Sequence, residues 1–225
     1  MRFEMVDGHV IIEYDGRRVL LDTGSPASLG PTGTWQFCGV PVTLADGGLG
    51  ITPAQIGEWV GTRVDVLLGA DVLSRLRFTI DLDEDGSGGH VRFERPAAAG
   101  PSIDLAEFMG IPIATVTVGD EPVRAIVDIG AKLSYLDAQM AAAFAVTGSE
   151  RDFYPGIGAF RTDVRVVPIE IAGCTVELRC GVLPDSLRMT LAMADTRAIL
   201  GTELLRHGAI TFALPDGVLM LEPRG

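Results

Sequence analysis

Two stretches of this chain follow one plan. Residues 9–24, HVIIEYDGRRVLLDTG, and residues 114–130, ATVTVGDEPVRAIVDIG, each read as a strand, a polar turn and a second apolar strand that runs into an aspartate and a glycine. Further on, VDVLLGADVLSRLRFTIDL (64–82) is answered by TRAILGTELLRHGAITFAL (196–214), in both cases an apolar pair, a glycine, a short leucine-bearing helix and a strand. Matching blocks in the same order, twice, require each half of the chain to build the same supersecondary unit. Between the copies lies RPAAAGPS (95–102), which reads as a linker. This gives an N-terminal lobe over 1–96, a linker over 97–102 and a C-terminal lobe over 103–225.

The copies differ in length in an informative way. Asp22 precedes Gly69 by 47 positions and Asp128 precedes Gly201 by 73, so the second copy has room for a long hairpin. The segment RDFYPGIGAFRTD (151–163) fits it: Gly156 and Gly158 suit the tip, while Phe153, Tyr154, Ile157 and Phe160 supply an apolar working face. In the first copy the corresponding stretch, GGLGITPAQIGEWVG (47–61), reads instead as a short helix. Thr52 serves as its N-cap, Pro53 opens its first turn and Gly61 ends it. A vestigial flap tip at Gly47-Gly48-Leu49-Gly50 is the less favoured reading.

Composition agrees with an all-β chain. Hydrophobic residues make up 47% of the sequence and aromatics only 6%, so Val, Leu, Ile and Ala carry the core, and 28 glycines and 13 prolines supply turns. A net charge of -12, with Lys132 as the only lysine, offers no basic surface to nucleic acid or anionic lipid. No apolar run reaches 18 residues and no basic segment with an apolar stretch opens the chain, so the expectation is a cytoplasmic protein without a membrane partner. Cys38, Cys174 and Cys180 lack CxxC spacing, and His9, His90 and His207 are scattered, which argues against metal or cofactor.

An aspartate closing a strand is ordinarily a turn former, but two in equivalent places suggest chemistry. If the repeats pack about a pseudo-twofold axis, Asp22 and Asp128 meet at the interface. Two adjacent carboxylates cannot both ionise cheaply, so they share a proton. One then acts as general base on a water and the other as general acid toward a carbonyl. Gly24 and Gly130 let the chain turn beside each carboxylate and free their amides to hydrogen-bond it.

These loops, DTGS at Asp22 and DIGA at Asp128, each followed by its LLG or ILG block, resemble the aspartic peptidases of the pepsin and retropepsin clan, over nearly all of the chain. The resemblance implies two tandem β-barrel lobes, in a compact single-chain member of bacterial type. Asp22 and Asp128 would be catalytic, with Thr23, Gly24, Ser25, Ile129, Gly130 and Ala131 supporting them. Residues 153, 154, 156, 157, 158 and 160 would bind a peptide or protein substrate, and catalysis would need no second chain. In the family each loop's threonine reaches across the axis to a backbone amide of the opposite loop, which Thr23 can do and Ile129 cannot. Ile129 fits either apolar packing between lobes or a decaying site. Ser25 offers a hydroxyl to the carboxylate where Ala131 offers none, so the pKa should stand higher and the activity maximum be less acidic than a digestive pepsin's. The flap lies in the second lobe, whereas pepsins carry theirs in the first. The function this implies is endopeptidase activity without metal or covalent intermediate; the alternative is a weak or inactive peptide-binding relative.

Overall fold

Short β-branched strands separated by Xaa-Gly pairs dictate hairpins, and the computed structural model contains them. It describes residues 1–48, 50–93, 100–154 and 157–224. The first half runs β1 (Arg2–Val6), β2 (His9–Tyr14), β3 (Arg17–Leu21), β4 (Gly33–Phe37), β5 (Val40–Leu44), helix α1 (Pro53–Val60), β6 (Val66–Leu68), helix α2 (Ala70–Leu73), β7 (Arg77–Leu82) and β8 (Gly88–Arg92). The second half runs β9 (Ser102–Phe108), β10 (Ile111–Val118), β11 (Glu121–Val127), β12 (Ser134–Leu136), α3 (Ala138–Ala141), β13 (Gly148–Tyr154), β14 (Gly158–Ile171), β15 (Cys174–Val182), α4 (Asp185–Met193) and β16 (Ala198–Leu200). A 3-10 turn at Thr202–His207, β17 (Gly208–Ala213), a second such turn at Leu214–Asp216 and β18 (Val218–Pro223) complete it. Strand accounts for 54% of the chain and helix for 14%, so the protein is mostly β, as composition implied.

Five of the hairpin turns are two residues long with both φ angles positive: Asp7-Gly8, Asp15-Gly16, Cys38-Gly39, Met109-Gly110 and Ala172-Gly173. That left-handed pair matches the twist of the flanking strands and explains the glycine at each second position. Helix α1 forms where 47–61 was read as helical. The Thr52 hydroxyl and the Gln55 side chain cap its first turn reciprocally, and Gly61 leaves it at φ 81°. The linker residues 97–99 and Leu49 of the alternative flap tip lie outside the described residues.

The strands join in a single sixteen-stranded order, β13-β14-β15-β12-β16-β11-β10-β9-β18-β17-β7-β8-β1-β2-β3-β6, with β4 and β5 paired apart. In the second half β14 also pairs with β10, at Thr117 with Glu170 and Val118 with Ile169, so the pairings from β10 round to β14 return on themselves. In the first half β3 runs parallel to β6 as β11 does to β16. The halves meet along β7 and β17, where equivalent residues of the two repeats face each other. Phe78 stacks on Phe212 at 4.8 Å, and the Thr79 and Thr211 hydroxyls hydrogen-bond at 2.8 Å in a buried position. One large core containing Phe78, Ile80, Ile210 and Phe212 spans this seam. Two smaller clusters, one around Leu20, Ile51 and Ile56 and one around Tyr135, Leu187 and Ile199, flank the loops after β3 and β11.

Candidate active site

Each repeated block has a mechanical part in shaping the aspartate loops. The Asp22 amide donates to the Leu68 carbonyl (3.0 Å) and the Asp128 amide to the Leu200 carbonyl (2.8 Å), so the parallel strands β6 and β16 fix where each loop begins. Gly69 and Gly201 follow those strands because the loop backbone fills their side-chain space. An added Cβ would stand 2.7 Å from the Ala27 carbonyl group and 2.3 Å from the Leu133 oxygen. The Gly69 amide donates to the Ser28 hydroxyl (2.9 Å) and the Gly201 amide to the Ser134 hydroxyl (3.1 Å). Both serines are buried and each lies six residues after its aspartate, a spacing in the sequence that could have revealed them.

The loops bring Asp22 and Asp128 into hydrogen-bond contact. Asp22 Oδ1 accepts the amides of Gly24 (2.9 Å) and Ser25 (2.8 Å). Asp128 Oδ1 accepts the Gly130 amide (2.8 Å) and, across the divide, the Gly24 amide (3.2 Å). The two glycines lack a side chain because the opposite carboxyl occupies the place. A Cβ on Gly24 would lie 2.2 Å from Asp128 Cγ, and one on Gly130 2.3 Å from Asp22 Cγ. Neither glycine has positive φ, so close approach across the divide, rather than a sharp turn, is what demands them.

Burial, then the Asp128 charge, drives the pKa of Asp22 well above the ordinary carboxylate range. Asp128 is also raised by burial, against the opposing donors Gly130, Asp22 and Gly24. Both shifts run in the same direction, so the buried pair holds one proton between its two carboxyls.

Thr23 is fully buried; its hydroxyl donates to the Val127 carbonyl (2.7 Å) and accepts the Ile129 amide (3.0 Å). This half of the expected reciprocal clasp is present. Ile129, 3% exposed, packs into the main core. The expected Ser25 hydroxyl contact is corrected: that hydroxyl donates to the Ala27 carbonyl (2.9 Å), and only the Ser25 amide serves the carboxylate. Ala131 lies beside the loop with its carbonyl accepting the Thr202 amide (2.9 Å).

The carboxyl pair lies in a cavity of about 280 Å³. Leu20, Leu29, Ile51, Ile56 and Leu67 wall one side, and Tyr135, Phe160, Leu183, Leu187 and Ile199 the other. The β13–β14 hairpin covers it, pairing from Gly148 with Val164 to Tyr154 with Gly158. Phe153, Tyr154 and Phe160 line the cavity, whereas Ile157 is 37% exposed and is not among the lining residues. Gly158 has φ 83° at the start of β14, and Gly156 lies outside the described residues. Burial, then the charges of Asp128 and Asp22, pushes the Tyr154 phenol up to about 12.

The sequence reading missed the groups that hold this hairpin down. The Tyr135 hydroxyl donates to Asp152 Oδ2, and Phe153 packs against His9 and Trp59 of the first half. Lys132 bridges Asp7 (2.7 Å) and Glu150 (3.3 Å), tying the first hairpin turn to β13. Among the described residues no group of three or more His, Cys, Asp or Glu is placed to hold a metal ion, and no helix is long and apolar enough to cross a membrane. No protein-family model and no curated protein matches the chain.

Proposed function

We propose that the protein is an aspartic endopeptidase of the pepsin and retropepsin type, with two barrel-like lobes related by a pseudo-twofold axis. The observation that carries this reading is the hydrogen-bonded pair Asp22–Asp128, each carboxyl seated on the glycine of the opposite loop, at the base of an apolar cavity under a hairpin. The meeting of Phe78 with Phe212 and of Thr79 with Thr211 supports the axis.

In this mechanism the ionised member of the Asp22–Asp128 pair accepts a proton from a water molecule as its oxygen attacks the scissile carbonyl carbon. The protonated member donates its proton to the carbonyl oxygen. Collapse of the tetrahedral diol breaks the carbon–nitrogen bond, with a proton passing to the leaving amine. Substrate lies extended beneath β13 and β14, its backbone pairing with the hairpin and its side chains against the two apolar walls.

The test is cleavage of a mixed peptide library between pH 3 and 8 by the wild type, Asp22→Asn and Asp128→Asn. Turnover by the wild type and loss in both variants supports the enzyme. A second reading, a peptide-binding relative without turnover, draws on Ile129, which lacks the hydroxyl needed to return the Thr23 clasp. Peptide binding by the wild type without cleavage would select it.

A further inference from the structure

The cavity over the carboxyl pair measures about 280 Å³, just under the roughly 300–1,000 Å³ of ligand-binding clefts. A peptide long enough to touch both apolar walls cannot enter while β13 and β14 stay where they are, so the hairpin has to lift and return. Its root is anchored: Glu150 accepts from Lys132 (3.3 Å) and Arg179 (2.6 Å), and the Thr162 hydroxyl accepts the Val182 amide (2.8 Å). Beyond those anchors the two strands reach the body of the molecule through Asp152, Phe153 and Phe160. Asp152 and Phe160 meet Tyr135 of their own half, through its hydroxyl and its ring. Phe153 crosses to the other half and joins the cluster around Leu20, Ile51 and Ile56.

Two rings receive it there. The Phe153 ring lies nearly parallel to that of His9 in β2, with centroids 5.5 Å apart and planes at 22°, and 4.9 Å from Trp59 of α1. Burial lowers the His9 pKa from its ordinary 6.5, against the pull of Asp152 and Asp7, so the neutral imidazole meets the phenyl ring as a flat, uncharged surface. On the hairpin side the Phe153 amide donates to Asp152 Oδ1 (2.8 Å), while Asp152 Oδ2 accepts the Tyr135 hydroxyl. The contacts thus run from Tyr135 of β12 through Asp152 and Phe153 to two elements of the first half. Aromatic pairs of this kind are strong enough to favour a closed state and weak enough to part during turnover.

We infer that His9 and Trp59 are positioning residues that form a socket for Phe153: the ring withdraws to admit a peptide and returns to shut the hairpin over the carboxyl pair before the reaction. The inference rests on the peptidase reading of the cavity. Closure excludes bulk water and brings the hairpin backbone onto the substrate, so turnover proceeds from the closed state. His9 and Trp59 act on Phe153 and not on the peptide, so the socket favours closure of the empty and the loaded protein alike. Weakening it therefore cancels in KM and appears in kcat.

The test measures peptide cleavage by Trp59→Leu and His9→Leu, each alone and combined with Phe153→Leu. Each single variant should lose about tenfold in kcat with KM changed by less than about threefold, and adding Phe153→Leu should cost little more, because the ring has already lost its seat. Trp59→Phe, which keeps an aromatic face, should retain most of the rate. In parallel, protein labelled with 5-fluorotryptophan carries two probes, Trp35 and Trp59, and is read by fluorine NMR without substrate. In His9→Leu the Trp59 resonance should move toward its position in Phe153→Leu, with Trp35 unmoved. An intact kcat, a change confined to KM, fully additive losses, or a Trp59 resonance indifferent to His9→Leu would overturn the inference and leave the peptidase reading standing. The expected fluorine shifts in a protein that cleaves no peptide would support the socket as a closure and refute the peptidase. Indifferent resonances in a protein without cleavage would overturn the two together.

Discussion

Replacing Thr23 with valine tests how the two loops are held in register. Valine keeps the β-branch and nearly the volume of threonine, so strand geometry is preserved and the hydroxyl alone is deleted. That hydroxyl makes two buried hydrogen bonds to the opposite loop, at 2.7 Å to the Val127 carbonyl and 3.0 Å from the Ile129 amide. Each is worth about 1 kcal/mol net, and stranding a carbonyl and an amide in the interior adds to the loss, for a total of about 2–4 kcal/mol. The new methyl recovers less than about 1 kcal/mol by burial. For a chain of 225 residues, a net loss of about 2–3 kcal/mol lowers Tm by roughly 4–12 °C. Urea titration at pH 7 should show a lower midpoint with an unchanged m-value, and kcat should fall at least about tenfold as the carboxyls lose alignment. Thr23→Ser, which keeps the hydroxyl, should retain most activity. A loss below about 0.5 kcal/mol with full turnover would mean that the two backbone groups are satisfied without Thr23, and the clasp would not be what aligns the pair.

Gly24→Ala and Gly130→Ala each drive a methyl to within 2.2 or 2.3 Å of the facing carboxyl carbon, so either should abolish peptide cleavage in a library assay and lower Tm; an active variant would contradict the facing arrangement. The raised pKa of Asp22 sets a sign for pH dependence: the folded state retains the proton where the unfolded chain, at its ordinary 3.8, has released it, so stability falls as pH rises above that value. Asp22→Asn removes this dependence, and its stability relative to wild type should increase between pH 4 and 7 in urea melts; a flat or falling difference refutes the assignment. The same shift puts the activity maximum above about pH 3.5 in a rate profile, the ordinary carboxylate range lying just above that mark. Met109, at φ 55° and 66% exposed before Gly110, should gain about 0.5–1 kcal/mol on replacement by Asn, which tolerates that conformation, as read by the shift in urea midpoint.

What could be read from the sequence is what is written locally and repeated. The β2–β3 and β10–β11 hairpins are legible from apolar runs interrupted by Asp15-Gly16 and Gly119-Asp120, and α1 from Thr52, Pro53 and Gly61. The covering hairpin is legible from the extra length of the second copy. The β4–β5 hairpin escaped because Cys38, an unusual turn residue, sits at φ 48° where Asn or Asp would have signalled it. Helix α4 escaped too, since Pro184 at its N-cap makes no side-chain capping bond. At the site, the residue types pointed to the carboxyls and their glycines. The fate of the Ser25 hydroxyl and the packing of His9 and Trp59 on Phe153 depend on three-dimensional contacts, the last pair separated by 144 and 94 positions, which no local pattern encodes.

Because both repeats belong to one polypeptide, a change in one half is not copied into the other. An assembly of identical subunits would have to carry isoleucine at both clasp positions or at neither, and would close over its ligand with two hairpins or with two helices. Here Thr23 retains the hydroxyl while Ile129 contributes apolar packing, and α1 provides a fixed seat for the hairpin that the other half supplies. Covalent union thus permits division of labour, with one half serving as bed and the other as cover, and lets selection adjust each side separately.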